Sequence, residues 1–549
     1  MHKPGLAGSS KLSIKSTHLI FIAALYFGSL LNLSFWRHVY ANVNFHGLSD
    51  LIFTIGLGPA FIAAHIALIS LILWPYVGKA VLIVLMLLSS ITSYAMLQFG
   101  VHIDVYMVRN VFETSWREAT DLISPGFATS FILLGLLPSL LLIRSRITYE
   151  PPLKEIKARA VMIAAALAVT ALALGLSLDH YKSMRRHQRY VTRLINPTNM
   201  FYALTVNLKK KILTSRNLVI IDESPSRLPE SEKGRPTVLV MVIGETSRSM
   251  SFSLNGYSKQ TNPKLAQQDV VSFQEVIASA TSTNVAVPSI FSDLGRKQFK
   301  VEEAVYRENL LELMQKTGIR ILWRENDEGC KGVCDRVPTE NMLTMSDPRF
   351  CSGGYCLDEF LIYNLEDYLK TVDKDTVLVL HTMGSHGPSY YQRYTDEFKR
   401  FQPTCDSSDI LNCSPEAVIN TYDNTIVYVD HILSKTIDIL NKFPEINAAM
   451  LYVSDHGESL GEGGIYMHAA PYDIAPKEQL LVPLILWLNE NLRQGRGLDY
   501  DCLKTSAGSS VISHDNIFHS VLGLMGIQSR TYQPELDIFK PCASGEPRD

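Results

Sequence analysis

At 549 residues, with 47% apolar side chains and a formal net charge of −3, the chain is long enough for two or more domains. Its near-balanced charge gives no basis for a nucleic-acid partner. The apolar residues are spread unevenly, which excludes a uniformly soluble fold.

Five apolar runs crowd the first third, at about 18–36, 51–74, 80–98, 124–143 and 159–178. Each approaches or exceeds the roughly 20 residues that cross a bilayer as a helix. Pro59, Pro125 and Pro138 interrupt two of them, which transmembrane helices tolerate better than soluble ones. Leu31-Asn32-Leu33-Ser34-Phe35-Trp36 lacks a small-residue cleavage pattern, so the first run reads as a retained helix. Lys3, Lys11 and Lys15 in the tail, Lys79 in the second loop, and Arg144, Arg146, Lys154, Lys157 and Arg159 in the fourth outnumber Arg37, Arg109 and Arg117 in the first and third. That bias puts the N-terminus in the cytoplasm and residues after about 180 outside. Lys182, Arg185, Arg186, Arg189 and Arg193, directly after the fifth run, oppose it.

Cysteine usage decides between the two orientations. All eight cysteines lie at or after Cys330. An even count in an external domain reads as four disulfides: Cys330–Cys334, Cys351–Cys356, Cys405–Cys413 and Cys502–Cys542. A zinc ribbon of Cys330, Cys334, Cys351 and Cys356 is the competing reading, against which stand its spacings and the oxidising compartment.

Residues 180–215 are basic, dotted with Tyr190, Phe201 and Tyr202 and broken at Asn196-Pro197, as expected of helices lying along a membrane surface. A polar, Pro-rich linker occupies 222–236. Beyond it, strand-type runs at 237–243, 319–323, 376–380, 449–453 and 481–487 alternate with helical patterns at 304–316, 359–370 and 416–441. The alternation predicts a mainly parallel sheet with helices on both faces. The expected organisation is a five-helix transmembrane domain (1–179), bridging interfacial helices and linker (180–236), and a catalytic α/β domain (237–549).

Several of these strands end in chemistry. The run 449–453 ends in Asp455 and His456, followed by Gly457, and 237–243 ends in Gly244 and Glu245. A carboxylate and an imidazole delivered to one edge of an open sheet suit a zinc ion. The strand from Asp375 runs into His381-Thr-Met-Gly-Ser-His386-Gly-Pro388, and His468 follows a Gly-rich loop. His381 occupies the last strand position and reads as a core residue with satisfied ring nitrogens; His386 and His468 do not. The hydroxyl-rich segment Ala278-Ser-Ala-Thr281-Ser282-Thr283 supplies the nucleophile candidates, since zinc acidifies a bound hydroxyl as it does water.

Together with Gly244-Glu245-Thr246-Ser247-Arg248, Leu254-Asn255-Gly256-Tyr257, Thr283 five residues before Pro288, and Ser454-Asp455-His456-Gly457-Glu458, these motifs resemble the bacterial inner-membrane phosphoethanolamine transferases. Within that family the chain most resembles the lipid A enzymes of the colistin-resistance type. The likeness spans nearly the whole chain and implies an α-helical membrane domain of five transmembrane helices plus an α/β, alkaline-phosphatase/sulfatase-like periplasmic domain. It implies that Glu245, Thr283, Asp455 and His456 hold a catalytic zinc (Zn2+) and that Thr283 is the nucleophile, with Thr281 and Ser282 as fallbacks. His386 and His468 would bind the transferred group, its phosphate or a second zinc, and His468 would also act as general acid. Lys331 matches a substrate-contact position. Asn110 and Glu118, in a third-loop motif, would contact the ethanolamine head.

The implied reaction moves phosphoethanolamine from phosphatidylethanolamine to a lipid A phosphate, by a monomeric multi-pass protein of the Gram-negative inner membrane. It would confer resistance to polymyxins and cationic peptides. Transfer to a core sugar or another glycan, glycerol-phosphate transfer of the lipoteichoic acid synthase type, a tethered sulfatase or phosphatase, and a non-enzymatic lipid-binding sensor are the alternatives. One departure stands out: many relatives carry a cysteine pair at the positions of Ser279 and Ser289.

Overall fold

The computed structural model of the protein describes residues 13–42, 47–114, 119–120, 122–187, 189–213, 217–228 and 234–543. They fall into two compact units, Met1–Val108 with Ile123–Val206, and Arg109–Leu122 with Asn207–Asp549.

Among the described residues of the first unit, five helices are long and apolar enough to cross a membrane: Ser16–Ala41, Leu48–Ile72, Gly78–Phe99, Pro125–Arg144 and Pro152–Leu176. Leu133, Leu137, Leu141, Leu167 and Leu172 are exposed on them. That inverts the pattern of a soluble bundle and fits a lipid solvent. Pro59 lies inside its helix, whereas Pro125 opens one, with Ser124 Oγ accepting from Phe127 N at 3.1 Å. A π-helical stretch, Ile132–Leu136, runs up to Pro138.

The Asn196-Pro197 break is not a surface feature. Asn196 is fully buried among the spans: its backbone N donates to Asn32 Oδ1 (2.8 Å), its amide to Leu31 O (2.9 Å), and Thr92 Oγ1 donates to its Oδ1 (2.8 Å). A break in the backbone ladder inside lipid is tolerated where neighbouring helices satisfy the freed groups, and here they do. Flanking it are the helices Leu178–His187 and Thr198–Leu213.

The second unit holds an eight-stranded sheet: β1 (Thr237–Gly244), β2 (Val271–Ile277), β3 (Arg320–Glu325), β4 (Thr339–Asn341), β5 (Thr376–His381), β6 (Asn447–Ser454), β7 (Leu481–Leu488) and β8 (Val511–Ser513), in the order β8-β2-β7-β6-β1-β5-β3-β4. Only β7 runs antiparallel to its neighbours. The mainly parallel sheet is therefore as expected. Its central strands are covered on both faces. In β1, Leu239, Met241 and Ile243 join one core, and Val238, Val240 and Val242 join the other. Strands buried on both faces read as unbroken apolar runs, which is why β1 and β6 were legible. The pattern at 304–316 forms a helix only from Leu310, because Asn309 caps it: its Oδ1 accepts from Leu311 N, and Glu312 Oε2 accepts from Asn309 N. The long helix Pro415–Leu440 lies on the Val238 face.

All four expected disulfides are formed, Cys330–Cys334, Cys351–Cys356, Cys405–Cys413 and Cys502–Cys542. No thiol remains for a zinc ribbon.

Candidate active site

The register of three central parallel strands builds the site. Ser454 of β6 pairs with Gly244 of β1, and Ile243 of β1 pairs with His381 of β5. The residues that follow, Glu245 and Asp455, therefore leave the same sheet edge side by side, at the carboxyl ends where open α/β sheets bind ligands. Both are fully buried, as is His456. Two glycines permit the crowding. A Cβ on Gly457 would collide with the Glu478 carbonyl oxygen, and Gly384, at φ +51°, would place one 2.6 Å from Glu245 O.

Thr283 opens the helix Thr283–Ile290 just beyond β2. Its hydroxyl lies 3.1 and 3.3 Å from the two Glu245 carboxylate oxygens and 3.3 Å from His456 Nε2. His456 Nδ1 sits 2.9 Å from Gly457 O, so Nδ1 carries the proton and the Nε2 lone pair faces the cluster. His456 Nε2 is 3.2 Å from Asp455 Oδ2, an oxygen with no hydrogen-bond donor. Burial lowers His456 to about 3, leaving the ring neutral, the form that ligates a metal. Burial, reinforced by Asp455, pushes Glu245 well above the ordinary carboxylate range, and Asp455 is raised by burial as well. Two buried carboxylates, a neutral imidazole and a hydroxyl converge here. That donor set fits a zinc ion.

The fallback hydroxyls point elsewhere: Thr281 Oγ1 donates to Ala470 O at 2.6 Å and Ser282 Oγ to Asn284 Oδ1 at 2.9 Å. His468 lies beside this centre, its ring tilted against that of His456 (centroids 4.6 Å apart) and edge-on to that of His386 (5.5 Å). Its Nδ1 is 2.9 Å from Glu458 Oε2, and Tyr390 donates to Glu458 Oε1 at 2.8 Å. Burial disfavours the charged His468 ring, but Glu458 outweighs it and the pKa is raised. His386 goes the other way, held neutral by burial and by the positive groups around it. Glu458 and Tyr390 were not singled out from the sequence, although Glu458 lies in the Asp-His-Gly-Glu run.

Lys331, at φ +52° inside the Cys330–Cys334 loop, donates to Glu328 O at 3.0 Å; Asp327 and Glu245 favour its charge against the cost of burial. Asn110 lies in the helix Val105–Glu113, where its carbonyl accepts from Thr114 N, and among the described residues no hydrogen bond or ion pair joins its side chain to the centre. Asp104 Oδ1 caps that helix, accepting from Tyr106 N and Met107 N. Glu118 lies outside the described residues. His381 departs from expectation. It is fully buried, its Nδ1 meets both Glu325 oxygens at 3.0 Å, and its Nε2 has no hydrogen-bond partner, with Asp327 Oδ2 3.8 Å away. Where relatives were expected to have a cysteine pair, Ser279 and Ser289 are bonded through their hydroxyls, and His514 Nδ1 sits 3.2 Å from Ser279 Oγ.

A mostly parallel sheet with this acid, imidazole and hydroxyl edge is that of a sulfatase-like α/β domain. Comparison agrees: the sulfatase family model matches residues 237–527, and one described as phosphoethanolamine transferase EptA/EptB matches 61–212. The chain is 36% identical over 526 residues to phosphoethanolamine transferase EptA of Salmonella typhimurium, covering 95% of this chain and 96% of that one. It is 33% identical to phosphatidylethanolamine transferase Mcr-2 of Escherichia coli, covering 94% and 96%. The integral membrane lipooligosaccharide phosphoethanolamine transferase A from Neisseria meningitidis matches with a TM-score of 0.94 at 36% identity, over 97% of this chain and 99% of that one. The chain belongs to the EptA-type phosphoethanolamine transferases, multi-pass membrane proteins with a sulfatase-like domain.

Proposed function

We propose that this protein is a zinc-dependent enzyme that moves phosphoethanolamine from phosphatidylethanolamine to a lipid A phosphate through a covalent adduct on Thr283. The observation that carries it is the Thr283 hydroxyl, within 3.3 Å of both Glu245 oxygens and of His456 Nε2. Glu245, Asp455, His456 and Thr283 would hold the zinc. When bound, the ion supplies positive charge that acidifies the hydroxyl and stabilises the equatorial phosphoryl oxygens.

In the first step Thr283, its hydroxyl proton released to solvent, forms a bond from Oγ1 to the donor's phosphorus as the bond to the glycerol oxygen breaks. His468, its charge held by Glu458, delivers a proton to that oxygen, and diacylglycerol departs. In the second step His468 takes back a proton from a hydroxyl of the acceptor phosphate, that oxygen attacks the same phosphorus, and Thr283 leaves as its oxyanion, giving ping-pong kinetics. Lys331 presents its ammonium to the phosphate, His386 stays neutral beside His468, and Asn110 and Glu118 receive the donor's ammonium head. The transmembrane part (1–179) and bridging segment (180–236) bring two lipids to the catalytic part (237–549). Relatives named for lipid A transfer support the acceptor. The lysine and arginine bias and the four disulfides support an inner-membrane protein with a cytoplasmic N-terminus and a periplasmic catalytic domain. The product gains an ammonium, which weakens binding of polymyxins and other cationic peptides.

Intact-mass analysis of the full-length protein incubated with phosphatidylethanolamine is the test. A phosphoethanolamine adduct mapping to Thr283, absent in Thr283→Ala while zinc content persists, is the expected result. An adduct on Thr281 or Ser282, or unmodified lipid A in cells expressing the protein, overturns it.

A further inference from the structure

A second group of ligating side chains lies on the other flank of Glu245. Glu245, Asp327 and His381 each offer one atom within 4.8 Å of the others, and all three are buried. Glu245 also belongs to the group with Asp455 and His456, so one carboxylate faces two clusters.

His381 carries the observation that singles this cluster out. Its Nδ1 is 3.0 Å from both oxygens of Glu325, which are themselves fixed by Trp323 Nε1 at 2.8 Å and Asp327 N at 2.8 Å. A carboxylate bonded to one ring nitrogen sets the tautomer and aims the other nitrogen, the arrangement that supports metal-ligating histidines. The aimed atom, Nε2, is buried, has no hydrogen-bond partner and lies 3.8 Å from Asp327 Oδ2. Facing carboxylates in a buried pocket, Nε2 is satisfied either by a proton, which Glu325 and Asp327 favour, or by a cation that displaces the proton and joins all three groups. Lys331 is the nearby candidate for that cation, but its ammonium donates to Glu328 O, and no ion pair to Asp327 or Glu245 forms among the described residues.

We infer that Glu245, Asp327 and His381 form a second divalent-cation site, with Glu245 bridging it to the catalytic one. One imidazole and two carboxylates suit an ion of the zinc class. The inference rests on the proposed reading of Glu245 as a ligand of the catalytic zinc, and it places the second ion among Glu245, Asp327 and His381 rather than between His386 and His468. Two ions sharing a carboxylate would lie ~3.5–4 Å apart, the spacing at which a pair flanks a transferring phosphoryl group. Here the second would also fix the rotamer of Glu245 against Thr283.

The test uses the full-length protein in detergent, saturated with zinc and freed of excess. Metal analysis should give two zinc per chain, falling to one in Asp327→Asn and in His381→Gln, with the melting temperature of the zinc-free protein retained in each. Anomalous diffraction from the wild type should show a peak within about 2.0–2.2 Å of His381 Nε2 and an Asp327 oxygen, and it decides the matter if either variant fails to fold. One zinc per chain, or a second peak between His386 and His468, overturns the inference. If one zinc remains and the Thr283 adduct still forms, the proposed function survives without the second site. If neither zinc nor adduct is found, both fall.

Discussion

The Ser279–Ser289 contact makes a quantitative prediction about the nucleophile loop. The two hydroxyls bond to each other across the segment that carries Thr283, so the paired variant Ser279→Cys, Ser289→Cys should close a disulfide without moving the backbone. Closing a loop of this length removes denatured-state entropy equivalent to about 2.7 kcal/mol. Against this stands the loss of the hydroxyl network, in which Ser279 also meets His514 Nδ1, a cost of about 1 kcal/mol. The net gain of about 1.7 kcal/mol should raise the melting temperature of a domain of roughly 310 residues by about 3 °C. His514 Nε2 remains 2.9 Å from Ser454 O, next to Asp455, so the proposed metal ligands should keep their places and the rate of lipid A modification should be unchanged. The assay is non-reducing peptide mapping, followed by thermal melts with and without reductant. Free thiols at 279 and 289 would refute the contact itself. A bridge that forms and lowers the melting temperature would refute the claim that the loop is already held in the geometry a disulfide requires.

Glu458→Gln should slow transfer roughly tenfold while leaving zinc content intact, because Glu458 orients and charges His468 without touching a proposed ligand of the catalytic zinc; an unchanged rate would remove His468 from proton delivery. Stripping zinc with a chelator should lower the melting temperature and abolish the Thr283 adduct, both restored by zinc, since Glu245 and Asp455 are otherwise left buried against each other; a melt indifferent to chelator would refute the metal centre. Removing the Cys502–Cys542 bridge, which spans 40 residues, should cost about 4 kcal/mol, against about 2 kcal/mol for Cys330–Cys334, which spans 4; equal losses in denaturant melts would refute the loop-length argument.

The membrane helices and the central sheet were legible because each advertises its environment in composition. A span must be apolar along its whole length, and a strand covered on both faces must be apolar at every position. The antiparallel β7 and the short edge strands β4 and β8 carry no such mark of direction or pairing. The polar hub at Asn196 was hidden for a related reason: an Asn-Pro pair reads as a surface break, and only the packed spans reveal that Asn32 and Thr92 satisfy it. Strand ends drew attention to Glu245, Asp455 and His456, since a charged residue directly after a buried run is placed at the sheet edge where open α/β sheets bind ligands.

The misreading of His381 shows where that logic stops. As the final residue of β5 it looks like core, and it is fully buried. Yet burial alone does not satisfy an imidazole; it needs partners for two nitrogens, and only one is met, by Glu325. Glu325 ends β3, the strand beside β5, and pairs with His381 in register. That pairing sets residues far apart in the chain side by side and leaves Asp327, two positions on, beside the unpaired nitrogen. No spacing within one segment encodes it, because the relation is between the ends of two strands. The same register that made the Glu245–Asp455 pair readable from two motifs concealed this one, since neither Glu325 nor Asp327 ends a run apolar enough to attract notice: Arg324 interrupts it, buried and ion-paired to Glu340. A charged residue inside a central strand erased the signal that its neighbours would otherwise have given.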